Sequence, residues 1–124
     1  MLRTILGLVA GLAVWLVVVF VAGVIIRASW PDYVRVAGAM TFTLPMKLAR
    51  LAVGAAATLA AGFTAAALGR ARRTATIAGA ILLVVFIPDH ITLWNTFPVW
   101  YHLWFLGSLI PLSVIGGRLA RNDG

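Results

Sequence analysis

A chain of 124 residues with 63% hydrophobic and 10% charged residues differs from a soluble domain, where about 45–50% and about 25% are usual. One small core in water could not bury so much apolar surface, so the composition predicts a membrane protein. The lack of cysteine excludes disulfides and thiolate chemistry. The net charge of +7 is carried by basic residues placed between apolar runs, which indicates membrane-helix ends rather than a nucleic-acid surface.

The first predicted element is a membrane-spanning helix over residues 5–26, a run without a charged residue. At about 1.5 Å per residue, these 22 residues are long enough for a hydrocarbon core of about 30 Å. The length of the run and the lack of a small-residue cleavage site before Arg27 argue against a removable signal peptide.

The second predicted span covers residues 44–68 and has Lys47 and Arg50 in its first two turns. Long basic side chains near a helix end can reach the lipid headgroups while their stems stay in the apolar layer. Small residues recur every four positions in the first two spans, which permits close helix contact in lipid. We expect this contact within the chain, and the alternative is contact between copies in a homo-oligomer. The residues concerned are Gly7, Gly11, Gly54, Thr58 and Gly62.

The third predicted span covers residues 76–94 and contains Pro88. A helix that ended at Pro88 would be about 18 Å long, which is too short to cross the membrane. Proline is tolerated in membrane helices, so we expect a kinked helix that continues past it. Asp89 and His90 would then lie in the outer third of the bilayer.

The fourth predicted span covers residues 99–117 and follows a tight turn over residues 95–98. This turn has no Lys or Arg and is flanked by aromatic residues, as is typical of the outer membrane interface. The predicted interfacial anchors are Trp94, Trp100, Tyr101 and Trp104.

The basic residues predict the orientation. With four spans both termini lie on one side, and that side collects six of the ten basic residues, including the short arginine-rich loop at residues 70–73. Short loops rich in Lys and Arg stay in the cytoplasm. The prediction is therefore an all-α, single-domain bundle of four transmembrane helices over residues 1–124, in the inner membrane, with both termini cytoplasmic.

The order of several segments also carries a resemblance. In chain order they are LGLVAGLAVWLVVVFVAG, a WP dipeptide, LAAGFTAAALGRARR, AGAILLVVFIPDH and LWFLGSLIPLSVIGGRLAR. This order resembles a family of small four-span bacterial inner-membrane proteins with no assigned activity. The chain departs from that family in having Arg27 where an acidic residue is usual, and Asp89 rather than Trp after Pro88. The resemblance implies a bacterial membrane protein and supplies no catalytic residues.

Polar residues on the outer side form the candidate ligand or ion-pair site. An ionised carboxylate below the headgroups needs a partner, so we predict contact between Asp89 and either Lys47 or Arg50. The same contact could serve only to lock the bundle. We place His90 and His102 nearer the outer water, and their spacing matches no metal motif. The site candidates are Asp32, Lys47, Arg50, Asp89, His90 and His102.

These features predict a non-enzymatic protein without metal or cofactor. Its partners would be the lipid bilayer and either further copies of the chain or a larger membrane complex, with no nucleic acid. The first hypothesis is a structural or accessory protein, such as a subunit or modulator of that complex. The alternatives are a small oligomeric transporter or channel that uses Asp89 with Lys47 or Arg50, and a protein that binds lipid or quinone in an aromatic outer pocket.

Overall fold

The computed structural model describes residues 1–121, and over them the chain forms five α-helices and no β-strand. Four of the five helices are long and apolar enough to cross a membrane, and the remaining one, second in chain order, is a short connector. The predicted all-α bundle with four membrane helices is confirmed. The helices are α1 (Leu2–Ser29), α2 (Pro31–Ala37), α3 (Leu44–Gly69), α4 (Arg72–Thr92) and α5 (Val99–Ala120).

The four long helices begin and end within four residues of their predicted bounds. Helix α4 continues through Pro88 as predicted, and the Thr92 hydroxyl donates a hydrogen bond to the Pro88 carbonyl oxygen at 3.0 Å. Helix α2 was not predicted, because seven residues are too few to show a hydrophobic period. Its start has a recognisable signal in Pro31 and Asp32, since proline and an acidic residue both favour the first turn of a helix.

Helix α3 lies at the centre of the bundle and packs against both α1 and α5. The contacts are so close that a Cβ atom at Gly7 would lie 2.5 Å from the Ala65 carbonyl oxygen, and Gly11 also packs against α3. On the other side, a Cβ at Gly62 would lie 2.0 Å from the Ser113 carbonyl oxygen of α5. The predicted stripe of small residues therefore serves helix contact within the chain.

Thr58 joins α3 to α1 in the middle of the bundle. Its buried hydroxyl donates to the Gly54 carbonyl oxygen at 2.7 Å and accepts the indole N–H of Trp15 at 3.2 Å. Gly54 itself packs against the ring of Phe105, because a Cβ there would lie 3.1 Å from that ring. The Thr58 hydroxyl and the Trp15 indole N–H are thus both hydrogen-bonded inside the bundle.

The end of the bundle that carries α2, called here the α2 end, is filled by aromatic rings. The connection between α4 and α5 reaches the same end, so residues distant in sequence meet there. Four rings with 6% or less of their surface exposed form this aromatic cluster, defined as Tyr33, Phe42, Phe97 and Tyr101. Phe97 was expected only as part of a turn, whereas its ring stacks on Tyr101 with 4.5 Å between centroids.

Candidate ligand-binding site

Arg50 lies at the α2 end with its guanidinium held by the aromatic cluster. Its Nη1 donates to the Tyr33 hydroxyl at 2.9 Å, and its Nε donates to the Tyr101 hydroxyl at 3.2 Å. The guanidinium carbon lies 4.7 Å from the ring centroid of Phe42 and 5.7 Å from that of Phe97, within cation–π range. The cation is therefore positioned by neutral groups that leave its charge in place.

Arg50 faces a cavity of about 670 Å³ to which all five helices contribute lining residues. On α1 the lining runs from Trp15 to Arg27, a distance of about 18 Å along a helix. Most of the lining is apolar, and the polar side chains lie towards the α2 end. The lining residues are Trp15, Val19, Phe20, Gly23, Val24, Ile26, Arg27, Tyr33, Arg50, Val53, Gly54, Phe86, His90, Leu93, Phe97, Tyr101 and Phe105.

The two histidines meet beside this cavity. The Nδ1 atoms of His90 and His102 are 2.6 Å apart, and Nε2 of His102 lies 3.2 Å from the Trp94 carbonyl oxygen. His102 is 1% exposed and His90 is 8% exposed, so both rings are buried inside the bundle, and their position nearer the outer water stays a prediction. His90 forms part of the cavity wall, whereas His102 lies behind it.

The predicted ion pair of Asp89 with Lys47 or Arg50 is also wrong. Asp89 is exposed on α4, and among the side chains of residues 1–121 neither it nor a cation of α3 takes part in an ion pair. Consecutive helical residues project about 100° apart, so the turn that buries His90 directs Asp89 outward. Arg50 meanwhile takes its hydrogen bonds from two tyrosines.

The remaining candidates lie outside the cavity. Asp32 pairs with Arg35 three residues later on the surface of α2, a type of exposed pair that contributes little to stability. Lys47 is half-buried and does not line the cavity. Within residues 1–121, no three His, Asp or Glu side chains come together as metal ligands.

The predicted aromatic anchors divide into two groups. Trp94, Trp100 and Trp104 are 43–59% exposed, as contact with the interface requires. Tyr101 is 4% exposed, so its prediction as an interfacial anchor is wrong. The chain has two tyrosines, and both bind Arg50. Sequence reasoning did not identify Tyr33, and its signal was a phenol close to the C-terminal end of the first span.

Comparison with protein-family models, with curated proteins and with solved structures finds no match for the chain.

Proposed function

We propose that the protein binds an amphipathic molecule of the membrane, with its anionic head group at Arg50 and its apolar chain along the cavity. The observation that carries this proposal is a cavity of about 670 Å³ with a cation near one end and apolar walls along the rest. This volume is within the range of about 300–1,000 Å³ that small-molecule sites occupy. Binding of lipid or quinone in an aromatic pocket is one of the alternatives predicted from the sequence.

The charge of Arg50 favours an anionic head group. No carboxylate within residues 1–121 forms an ion pair with it, and a partly desolvated cation in a membrane span is stabilised by a counter-charge. Two of its five N–H groups bond to tyrosines, so three remain for a ligand. Arg27, also on the cavity wall, adds a second positive charge.

The proposed role agrees with a non-enzymatic accessory protein, because binding needs no reacting group. The transporter alternative receives less support, since it depended on Asp89 acting together with Lys47 or Arg50. Asp89 faces outward and forms no ion pair with either cation.

We further propose that the protein is a bacterial inner-membrane protein with both termini in the cytoplasm. The end of the bundle that carries the N-terminus also carries Arg70, Arg72 and Arg73, which supports this orientation by the positive-inside rule. A reporter fused to the C-terminus should be active in the cytoplasm. Activity confined to the periplasm would contradict the orientation.

The head-group contact is tested with hexadecanoate as the probe and purified protein in detergent, with binding followed by tryptophan fluorescence. We expect Arg50→Gln to weaken binding about tenfold or more, because hydrogen bonds to a charged group contribute about 1.5–3 kcal/mol. Lys47→Gln removes the same charge one turn away and is the matched control. Its affinity for hexadecanoate should stay within about twofold of the wild-type affinity.

A second comparison needs no variant. The wild-type protein should prefer hexadecanoate to a hexadecyl ammonium amphiphile of equal chain length, since Arg50 repels a cation. Equal affinity for the two amphiphiles, or equal losses in the Arg50 and Lys47 variants, would contradict the proposed site.

A further inference from the structure

The hydrogen bonds of His102 determine which of its nitrogens carries the proton. Its Nε2 contacts the Trp94 carbonyl oxygen at 3.2 Å, and a carbonyl oxygen can only accept. Nε2 therefore carries the hydrogen. In the neutral ring Nδ1 is then left with a lone pair, so it must accept from its neighbour.

His90 is that neighbour, and its own tautomer follows. Its Nδ1 lies 2.6 Å from Nδ1 of His102, so it carries the hydrogen and donates it. Nε2 of neutral His90 is consequently an acceptor, and it makes no hydrogen bond to residues 1–121. This nitrogen is also not fully buried. Among residues 1–121, the fully buried side-chain nitrogen or oxygen atom without a hydrogen-bond partner is Oγ1 of Thr74, and Nε2 of His90 is not such an atom. As His90 lines the cavity, this acceptor is available to a ligand there.

The other polar groups at the α2 end of the cavity are donors. Arg50 has three N–H groups left, and the hydroxyls of Tyr33 and Tyr101 already accept from Arg50, which leaves their own hydrogens to donate. Tyr101 also connects the two kinds of group, because its ring stacks near His90 with 6.4 Å between centroids. The site thus offers several donors around a cation and, beside them, the unprotonated ring nitrogen of His90 as an acceptor.

We infer that the head group combines an anion with a neighbouring hydroxyl, in which the anion binds Arg50 and the hydroxyl donates to Nε2 of His90. This inference rests on the proposed function and specifies its ligand class. A 3-hydroxy carboxylate and the phosphate of a single-chain glycerolipid with a free hydroxyl share this chemistry. A quinone does not, because its ring oxygens are acceptors and cannot donate to His90.

The experiment compares two pairs of single-chain amphiphiles in wild-type protein and in His90→Phe. The first pair is 3-hydroxyhexadecanoate and hexadecanoate, and the second is a lysophosphatidate and its 2-O-methyl ether. For each pair, the affinity for the hydroxyl compound is divided by the affinity for the compound without the hydroxyl. In at least one pair, this ratio should be about three- to tenfold larger in the wild type than in His90→Phe, because one hydrogen bond contributes about that much. The pair that shows the effect tells whether the anion is a carboxylate or a phosphate.

Because each result is a ratio of two affinities in the same protein, a general loss of folding in His90→Phe cancels. A ¹⁵N spectrum of the wild type checks the tautomer without any variant and should show Nε2 of His90 unprotonated. The inference is overturned by a protonated Nε2, or by equal preferences in wild type and variant. If hexadecanoate still binds and its binding depends on Arg50, the proposed function stands and only the inference about His90 fails. If no amphiphile binds, both fail.

Discussion

At the scale of single residues, the site depends on how Arg50 is held. A carboxylate partner would have cancelled its charge, whereas phenol hydroxyls and aromatic faces fix its position and leave the charge for a ligand. The buried rings of Tyr33 and Tyr101 come from α2 and α5, so the arginine also joins three helices. The proposed binding and the local stability therefore depend on the same side chains.

The contrast between Asp89 and Tyr101 gives a prediction. Tyr101→Phe should lower the free energy of unfolding by about 1–3 kcal/mol, because it leaves the Nε–H of Arg50 without its acceptor. Asp89→Asn should change the free energy of unfolding by less than about 0.5 kcal/mol, because the carboxylate that it removes is exposed and forms no ion pair. Denaturant unfolding in detergent measures both. A larger loss of unfolding free energy for Asp89→Asn than for Tyr101→Phe would indicate that Asp89 does form the ion pair predicted from the sequence.

Arg50 and His90 could be selected from the sequence as site candidates, but the residues that they contact could not be predicted. Position along a span gives the depth of a side chain, and ionisable residues in a span are few, so both could be identified. The face on which each residue lies depends on helix rotation, which hydropathy does not give. Asp89 and His90 are adjacent in sequence, yet one is exposed and the other buried.

At the scale of helices, backbone contact between α3 and its neighbours determines the arrangement. The small residues that permit it were visible in the sequence, because a spacing of four places them on one helix face. Their partners on α5 were not visible, because Phe105 and Ser113 have the same spacing of eight residues as Gly54 and Gly62 but do not form a row of small residues. Helix α2 and the aromatic cluster were also missed, as both depend on contacts between distant segments.

Gly62 and Gly107 form a matched pair for testing this contact. Gly62→Ala should lower the thermal midpoint clearly, because its Cβ would overlap the Ser113 carbonyl oxygen and backbone cannot yield cheaply. Gly107→Ala meets nothing within 4 Å and should leave the midpoint unchanged or raise it, since alanine favours a helix. Thermal unfolding in one detergent compares them. Equal midpoints for the two variants would show that α3 and α5 are not in backbone contact.

At the scale of the whole molecule, the cavity follows from unequal packing along α1. Near the N-terminus, Gly7 and Gly11 allow α1 to touch the backbone of α3. Towards the α2 end the cavity wall on α1 carries bulky residues such as Val19 and Phe20, and a Cβ at Gly23 would meet nothing within 4 Å. Close contact at one end and open space at the other leave room for a ligand.

The most direct test of amphiphile binding is to fill that space without disturbing the fold. Gly23 lines the cavity and has room for a side chain, so Gly23→Phe should weaken hexadecanoate binding at least about tenfold while the thermal midpoint stays the same. Gly107→Phe adds the same ring at an equally open position away from the cavity and should bind as the wild type does. If Gly23→Phe binds hexadecanoate as tightly as Gly107→Phe, the cavity is not the binding site.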